Sequence, residues 1–308
     1  MPRLKIKTLS FDSQPSLFDS LEMDYHITVP RRIRFISFGS GSSGNCAYIG
    51  NDDEGFLIDA GVSPDKVVPE LRRRGISMAQ VKGICITHDH ADHVRYVYKL
   101  LKKYPHMGFY ATPKALSGIF RRHSLSPRLK DYHRPFYIET PFRIGAFTVT
   151  AFTVSHDGTD NVGFFITLDG RNFAVATDLG SITDRVDFYM RQAHYIMIEA
   201  NYDETMLRTG RYPEYLKARV AADNGHMDNA ATADFLSRIW TENLRYVFLC
   251  HLSHDNNTPE IALAAVRSAL TARGVTVGDA SGSIESRSAA LQLYALPRFD
   301  PSPFFTLL

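Results

Sequence analysis

Cysteine is scarce in this 308-residue chain: Cys46, Cys85 and Cys250 stand far apart and form no C-x-x-C pair. A disulfide framework is therefore not expected, and a reducing cytoplasm is the expected compartment. Each cysteine sits in an apolar, strand-like run, which favours a buried thiol over a nucleophile or ligand. Long apolar runs are missing as well. None approaches the roughly 20 residues needed to cross a bilayer, so no membrane association is expected. The basic start MPRLKIKTLSFDSQ carries no apolar segment of the secretory kind. Nor is one sign of charge in excess: 35 Lys+Arg face 33 Asp+Glu. That balance argues against a purely electrostatic nucleic-acid binder and leaves local basic patches open. Repeats and low-complexity tracts are also lacking. What is present is 44% hydrophobic and 22% charged, enough for a full core.

Residues 1–31 have weak periodicity and read as an N-terminal arm; the regular pattern covers 32–308. Strands are expected over Arg34–Phe38, Cys46–Ile49, Gly55–Asp59, Gly83–Thr87, Phe109–Ala111, Phe147–Ser155, Tyr195–Glu199 and Arg245–Cys250. Val162–Leu168 and Asn172–Thr177 flank Asp169-Gly170 as a hairpin. Val275–Val277 is expected as the last strand. Helices are expected from Pro64 (N-capped by Ser63) to Gly75, and over Asp92–Tyr104, Pro113–Arg121, Ala230–Thr241 and Pro259–Arg273. Strands precede helices, and His or Asp recurs at strand ends. The pattern is that of a layered α/β protein whose site is built on loops.

The densest chemistry is Thr87-His88-Asp89-His90-Ala91-Asp92-His93, four metal-competent side chains directly after a buried strand. His88 and His90, two apart in an extended turn, can aim at one ion; Asp92 and His93, opening the next helix, can aim at a neighbour. Imidazole and carboxylate suit zinc and other borderline divalent ions. Later single residues follow strands in the same way: His156 in VSHD, Asp178 in ATDLG and His251 in LCHLS.

This series resembles the metallo-β-lactamase-fold hydrolases, whose mark is HxHxDH after a strand and then lone ligands, each ending a strand. The resemblance spans about residues 32–280 and implies a four-layer αββα sandwich. It implies two divalent metal ions, with Zn2+ expected and Mn2+ or Fe2+ compatible with the same ligands. By resemblance His88, His90 and His156 hold one ion, Asp92, His93 and His251 the other, and Asp178 bridges them. Asp59, in LIDAG, matches a family position that orients a ligand histidine. His254 is a further histidine beside His251, where the family motif has a single ligand.

Two more segments resemble the ribonuclease Z branch: Glu199-Ala200-Asn201 and Gly225-His226-Met227. There the histidine donates a proton and the glutamate supports it, which implies His226 as general acid and Glu199 as its partner; an ordinary helix-capping role for His226 stays open. Narrower still is the similarity to the YycJ (WalJ) family of bacterial metallohydrolases. It rests on Phe38-Gly39-Ser40-Gly41-Ser42-Ser43-Gly44-Asn45-Cys46, Glu199-Ala200-Asn201-Tyr202-Asp203, Gly210-Arg211-Tyr212-Pro213 and His251-Leu252-Ser253 with Asn256-Asn257. Met227-Asp228 and His254 depart from that pattern. The family is associated with DNA exonuclease activity and DNA repair.

Only 22 positions separate His156 from Asp178, too few for the tRNA-gripping arm of ribonuclease Z, and 73 separate Asp178 from His251, too few for a β-CASP cap. The expected activity is thus a metal-dependent phosphodiesterase or nuclease, most simply a DNA exonuclease. A metal-bridging hydroxide aligned by Asp92 and Asp178 would attack phosphorus. A hydrolase of cyclic nucleotides, lactones or thioesters is the alternative. Expected substrate contacts are Ser42 and Asn45 in the glycine-serine turn, read equally as a phosphate nest or a tight hairpin, and Arg211 and Lys217. Arg72-Arg73-Arg74 reads as a solvated face. Gln14-Pro15-Ser16-Leu17-Phe18 resembles, with Pro15 irregular, the peptide by which bacterial repair proteins dock on the sliding clamp; Gln14, Leu17 and Phe18 would make the contact.

Overall fold

Strand β1 (Ile33–Gly39) buries nearly every side chain, as only a strand covered on both faces does. In the computed structural model, which describes residues 31–282, 286 and 288–307, it lies inside a sheet ordered β15-β1-β2-β3-β4-β5-β6. The other members are β2 (Cys46–Gly50), β3 (Gly55–Ile58), β4 (Val81–Cys85), β5 (Gly108–Ala111), β6 (His133–Pro135) and β15 (Phe305–Leu307). A second sheet is ordered β13-β14-β12-β11-β10-β9-β8-β7. It contains β7 (Phe142–Ile144), β8 (Phe147–Thr153), β9 (Val162–Leu168), β10 (Arg171–Ala176), β11 (Tyr195–Glu199), β12 (Tyr246–Cys250), β13 (Val277–Asp279) and β14 (Leu291–Ala295). The expected Asp169-Gly170 turn joins β9 to β10, with φ of 48° and 78° at the two residues, as a primed hairpin turn requires.

The inner faces of the two sheets meet through aromatic rings. Phe35 of β1 stands 4.6 Å from Phe248 of β12, and Phe56 of β3 stands 5.5 Å from Phe147 of β8, centroid to centroid. All four are fully buried, each contributing about 1.5–3 kcal/mol of apolar burial. Outside the first sheet pack α1 (Pro64–Arg73), α2 (Ala91–Val94), α3 (Val97–Lys103) and α4 (Pro113–Arg122), through Val67, Leu71, Leu100 and Ile119. Outside the second pack α5 (Asp184–Met190), α8 (Asn229–Ile239) and α9 (Pro259–Thr271), through Val186, Phe235, Leu236 and Val266. Helix, sheet, sheet, helix: the layers are those of the αββα sandwich. Between β11 and α8, α6 (Glu204–Thr209) and α7 (Glu214–Val220) form a small satellite around Tyr202, Leu207 and Val220. Among the described residues no helix is long and apolar enough to cross a membrane.

Two expectations are corrected. The helix over Asp92–Tyr104 is two helices, because Tyr96 leaves the helical path and donates its N–H to Ala60 O at 2.9 Å. Val275–Val277 is not the last strand. β13 begins at Val277, and β14 and β15 follow it, one in each sheet. The chain between them crosses from sheet to sheet, with Leu296 N donating to Leu249 O and Ser302 N to Ser37 O. Residues 31 onward form one compact unit; Arg31 at its start ion-pairs with Asp169 at 2.7 Å. Gln14, Leu17 and Phe18 lie outside the described residues.

Candidate metal centre and active-site cleft

Strand direction decides where the polar side chains collect. β3 and β4 run parallel, as do β10, β11 and β12, and β8 runs with β10 because both are antiparallel to β9. Asp59, His88, His156, Asp178, Glu199 and His251 are therefore delivered from C-terminal strand ends. Two of them pay in backbone conformation: Asp59 at φ 61° and His251 at φ 53° are non-glycine residues in the left-handed region, typically a cost of about 1 kcal/mol or more each. The turn after Asp59 presses on α2. A Cβ at Gly61 would lie 1.5 Å from Asp92 O, and Asn45 N and Ala60 N donate to Asp92 O and His93 O at 2.8 and 2.7 Å.

Hydrogen bonds on one ring nitrogen leave the other aimed inward. His156 Nδ1 lies 3.0 Å from Gly225 O, His93 Nδ1 2.7 Å from Asp59 Oδ2, and His251 Nδ1 2.8 Å from Glu199 Oε1. His88 Nδ1 lies 3.0 Å from Thr87 Oγ1, whose backbone N–H donates to Asp59 Oδ1 at 2.9 Å. Inward, His88 Nε2 and His90 Nδ1 are 3.0 Å apart, and His156 Nε2 is 3.3 Å from the same His90 atom. Donor atoms lie within 4.8 Å of one another in four groups: His88, His90 and His156; Asp92, His93 and His251; His88, His93 and Asp178; and Asp178, Glu199, His226 and His251.

These residues fit divalent metal ions. His251 Nε2 is buried without a hydrogen-bond partner, and Asp178 Oδ2 is buried with no well-formed hydrogen bond, its neighbour being His93 Nε2 at 2.9 Å. Buried polar atoms of this kind are rare and call for an explanation. Charge points the same way. Burial would raise the Asp178 carboxyl, but the surrounding His251, His93 and His88 hold it well below the carboxylate range. Asp92 is held at about 2 against its burial, chiefly by His93 and His251. Burial would lower His93, yet Asp59, Asp178 and Asp92 hold it well above the usual imidazole range. A cation entering here would take the place of such protons.

Glu199 lies beside this cluster, fully buried. Its Oε1 is 2.8 Å from His226 Nδ1 as well as from His251 Nδ1, and its Oε2 accepts from Leu179 N at 2.8 Å. Burial works against charge on His226, and Glu199 overcomes it and raises the imidazole's pKa. His226 does not cap α8; Asp228 does, accepting from Ala231 N at 2.8 Å. The imidazole lines a cleft of about 540 Å³ together with Ser42, His90, Asp92, His156, Asp178 and His251.

Other candidates fall elsewhere. Asn45 is buried, bonding Gly41 N and O and lying 2.9 Å from His93 Nε2. The glycine-serine turn spends its amides internally: Ser40 N on Arg298 O, Gly41 N on Asn45 Oδ1, Gly44 N on Gly41 O and Asn45 N on Asp92 O. The nest reading loses those donors. Lys217 Nζ donates to Arg208 O and Glu214, and Arg211 lines a separate cavity with His254 and Asp255. His254 is exposed against Asp255 and joins none of the metal-competent groups among the described residues. Unforeseen in the sequence are Arg122, Asp157 and Arg219, which ring the cleft and a side cavity, and Arg298, which closes that cavity. Asp157 had a local signal, its place next to His156; the arginines had none.

The family model of the beta-lactamase superfamily domain matches residues 55–251. Exodeoxyribonuclease YycJ of Bacillus anthracis is 32% identical over 248 residues, 80% of this chain and 93% of that protein. Exodeoxyribonuclease WalJ of Streptococcus pneumoniae serotype 2 is 30% identical over 245 residues, covering 80% and 91%. Among solved structures, the metallo-beta-lactamase fold protein YhfI from Bacillus subtilis superposes with a TM-score of 0.63 at 13% identity, covering 90% of this chain and 99% of that one. Human tRNase Z, short form, gives 0.52 at 19% identity, covering 71% and 93%. The family model, the sandwich and the sequence identity agree: the chain belongs to the β-lactamase superfamily, in the family of the YycJ and WalJ exodeoxyribonucleases.

Proposed function

We propose that the protein is a dinuclear metal-dependent phosphodiesterase that shortens DNA from an end, acting in DNA repair in the cytoplasm. The observation that carries this reading is the Glu199–His226 pair, 2.8 Å apart, with Glu199 fully buried and His226 facing the cleft beside the metal-competent cluster. Hydrolysis of a phosphodiester expels a poor alkoxide leaving group, which a positioned proton donor assists; a thioester, which expels a thiolate, needs less help. The names of the two bacterial relatives support DNA as substrate.

His88, His90 and His156 would hold one ion and Asp92, His93 and His251 another, with Asp178 within reach of members of both sets. Zn2+ matches the donors best. When bound, such ions neutralise phosphate charge and supply an activated water. The chain's own residues do the rest. Asp92 and Asp178 present ionised oxygens that orient the attacking water. His226 bonds Glu199 through Nδ1, which leaves Nε2–H to give its proton to the departing oxygen. Glu199, anchored by Leu179 N, fixes the ring and favours its protonated form. Asp59 holds His93 in register.

Asp92→Ala and His90→Ala test the reading. Both should abolish hydrolysis of DNA and of bis-p-nitrophenyl phosphate while the circular dichroism spectrum is kept. Activity persisting in either variant contradicts it.

A further inference from the structure

The cations along the cleft differ in one respect. Arg219 is bound through Nε and Nη2 to Asp157, at 2.9 and 2.8 Å, and Arg122 stands 3.2 Å from Asp89. Lys217, outside the cleft, is occupied by Glu214. Arg298 has no carboxylate at ion-pair distance among the described residues. Of its five N–H donors, one serves Leu252 O at 2.8 Å from Nη1 and one Ser42 Oγ at 2.6 Å from Nη2. Its Nε is buried without any partner. Leaving a guanidinium half-buried with an orphaned donor costs free energy, so the position calls for an explanation. Phe299 faces the guanidinium at 5.4 Å, a contact that consumes no N–H.

The position is built rather than accidental. Arg298 lies on the crossing between β14 and β15, and the glycine-serine turn is shaped around it. A Cβ at Gly41 would come within 2.9 Å of Arg298 Nη1 and 3.2 Å of its Cγ, and Ser40 N donates to Arg298 O at 3.3 Å. The same Ser40 accepts from His251 N through Oγ at 2.9 Å, tying the turn to the site. Arg298 helps to close a side cavity of about 150 Å³ whose walls include Ser42, Tyr212, Arg219, His226 and His251. Ser42, Arg219, His226 and His251 also line the main cleft, so the cavity adjoins it beside His226. Its volume admits a phosphate group but not a base pair.

We propose that this side cavity is a phosphate subsite, with Arg298 as the group that binds a second phosphate of the nucleic acid beside the one cleaved. The proposal rests on the nuclease reading above and adds to it a residue outside the matched domain region. The phosphate is either the terminal monoester of the strand or the next diester along it. A guanidinium fork suits both through paired charge-assisted hydrogen bonds.

The test compares wild type, Arg298→Ala and Arg298→Lys on DNA carrying a 5′-phosphate, a 3′-phosphate or neither, beside bis-p-nitrophenyl phosphate, which has no second phosphate. In Arg298→Ala, KM for DNA should rise roughly tenfold or more, with kcat less affected. The loss on DNA should exceed the loss on the small ester by a similar factor. Binding of DNA to Asp92→Ala/Arg298→Ala should show a salt slope lower by about one than binding to Asp92→Ala alone. Arg298→Lys, which keeps the charge but not the fork, should recover part of the KM and keeps the test valid if the alanine variant folds poorly. A loss confined to one phosphorylated end identifies a terminal monoester; an equal loss on all three identifies an internal phosphate. Unchanged KM and salt slope in both variants, or equal losses on DNA and small ester, overturn the subsite while leaving the nuclease standing. A wild type that cleaves only the small ester overturns both.

Discussion

Glu199 Oε1 lies 2.8 Å from His226 Nδ1, and that same buried oxygen lies 2.8 Å from His251 Nδ1. One carboxylate oxygen thus orients both the proposed proton donor and a proposed metal ligand, and the two rings stack at 5.2 Å. The roles separate by mutation. His226→Ala removes the donor but leaves His251 its bond to Glu199. Turnover on DNA should fall by about 10²–10⁴, the usual worth of a positioned acid, with metal content unchanged by elemental analysis. Loss of metal in step with activity contradicts the assignment. Glu199→Gln should lower both turnover and metal affinity.

Asp59 accepts from Thr87 N and Oγ1 and bonds His93 Nδ1 at 2.7 Å, all fully buried. Asp59→Asn keeps the shape and removes the charge. Metal affinity should drop by about 10–100-fold in a chelator-competition titration, as is usual when the partner of a ligand histidine is lost. Unchanged affinity would show that Asp59 only supports the loop.

Asp169 is held at about 2 by side-chain and backbone hydrogen bonds from Arg31. Its folded pKa lies below the unfolded value, so the contribution is present above pH about 4 and lost as pH falls toward 2. The pair is partly exposed, so its worth is under about 1 kcal/mol. Asp169→Asn keeps the left-handed turn that Asn tolerates. It should lower Tm slightly at neutral pH, and the difference should shrink between pH 4 and pH 3 in thermal melts. A difference that grows on acidification has the wrong sign for this pair.

Gln14, Leu17 and Phe18 are proposed to dock on the bacterial sliding clamp. Leu17→Ala/Phe18→Ala should remove clamp binding in a surface-plasmon titration while leaving hydrolysis of the small ester intact; binding that survives the double change rules the peptide out.

What was legible in the sequence was whatever chemistry writes locally. HxHxDH declares itself within six residues, and His156, Asp178 and His251 each follow a readable strand, so the metal-competent set and the sandwich could be read together. Asp169-Gly170 fixed its hairpin by turn chemistry alone. Less legible were elements whose reasons are distant. The break at Tyr96 depends on Ala60 O, and β15 is three residues long, held by β1. Helices α6 and α7 pack on each other in a satellite, so their apolar spacing was weak. Arg211 and Lys217 are close to His226 in the sequence, in the stretch that resembles the YycJ family. Lys217 turns to Glu214, while Arg298, 72 positions beyond His226, is carried to the site by the crossing between the sheets.

The most direct measurement is digestion of end-labelled single- and double-stranded DNA beside RNA and bis-p-nitrophenyl phosphate, with Zn2+ and Mn2+ supplied separately and Asp92→Ala as control. Stepwise shortening of DNA from an end is expected, dependent on added metal and absent from the variant. Cleavage of the small ester with every polymer left intact would contradict the nuclease reading and mark the cleft as that of a small-molecule hydrolase.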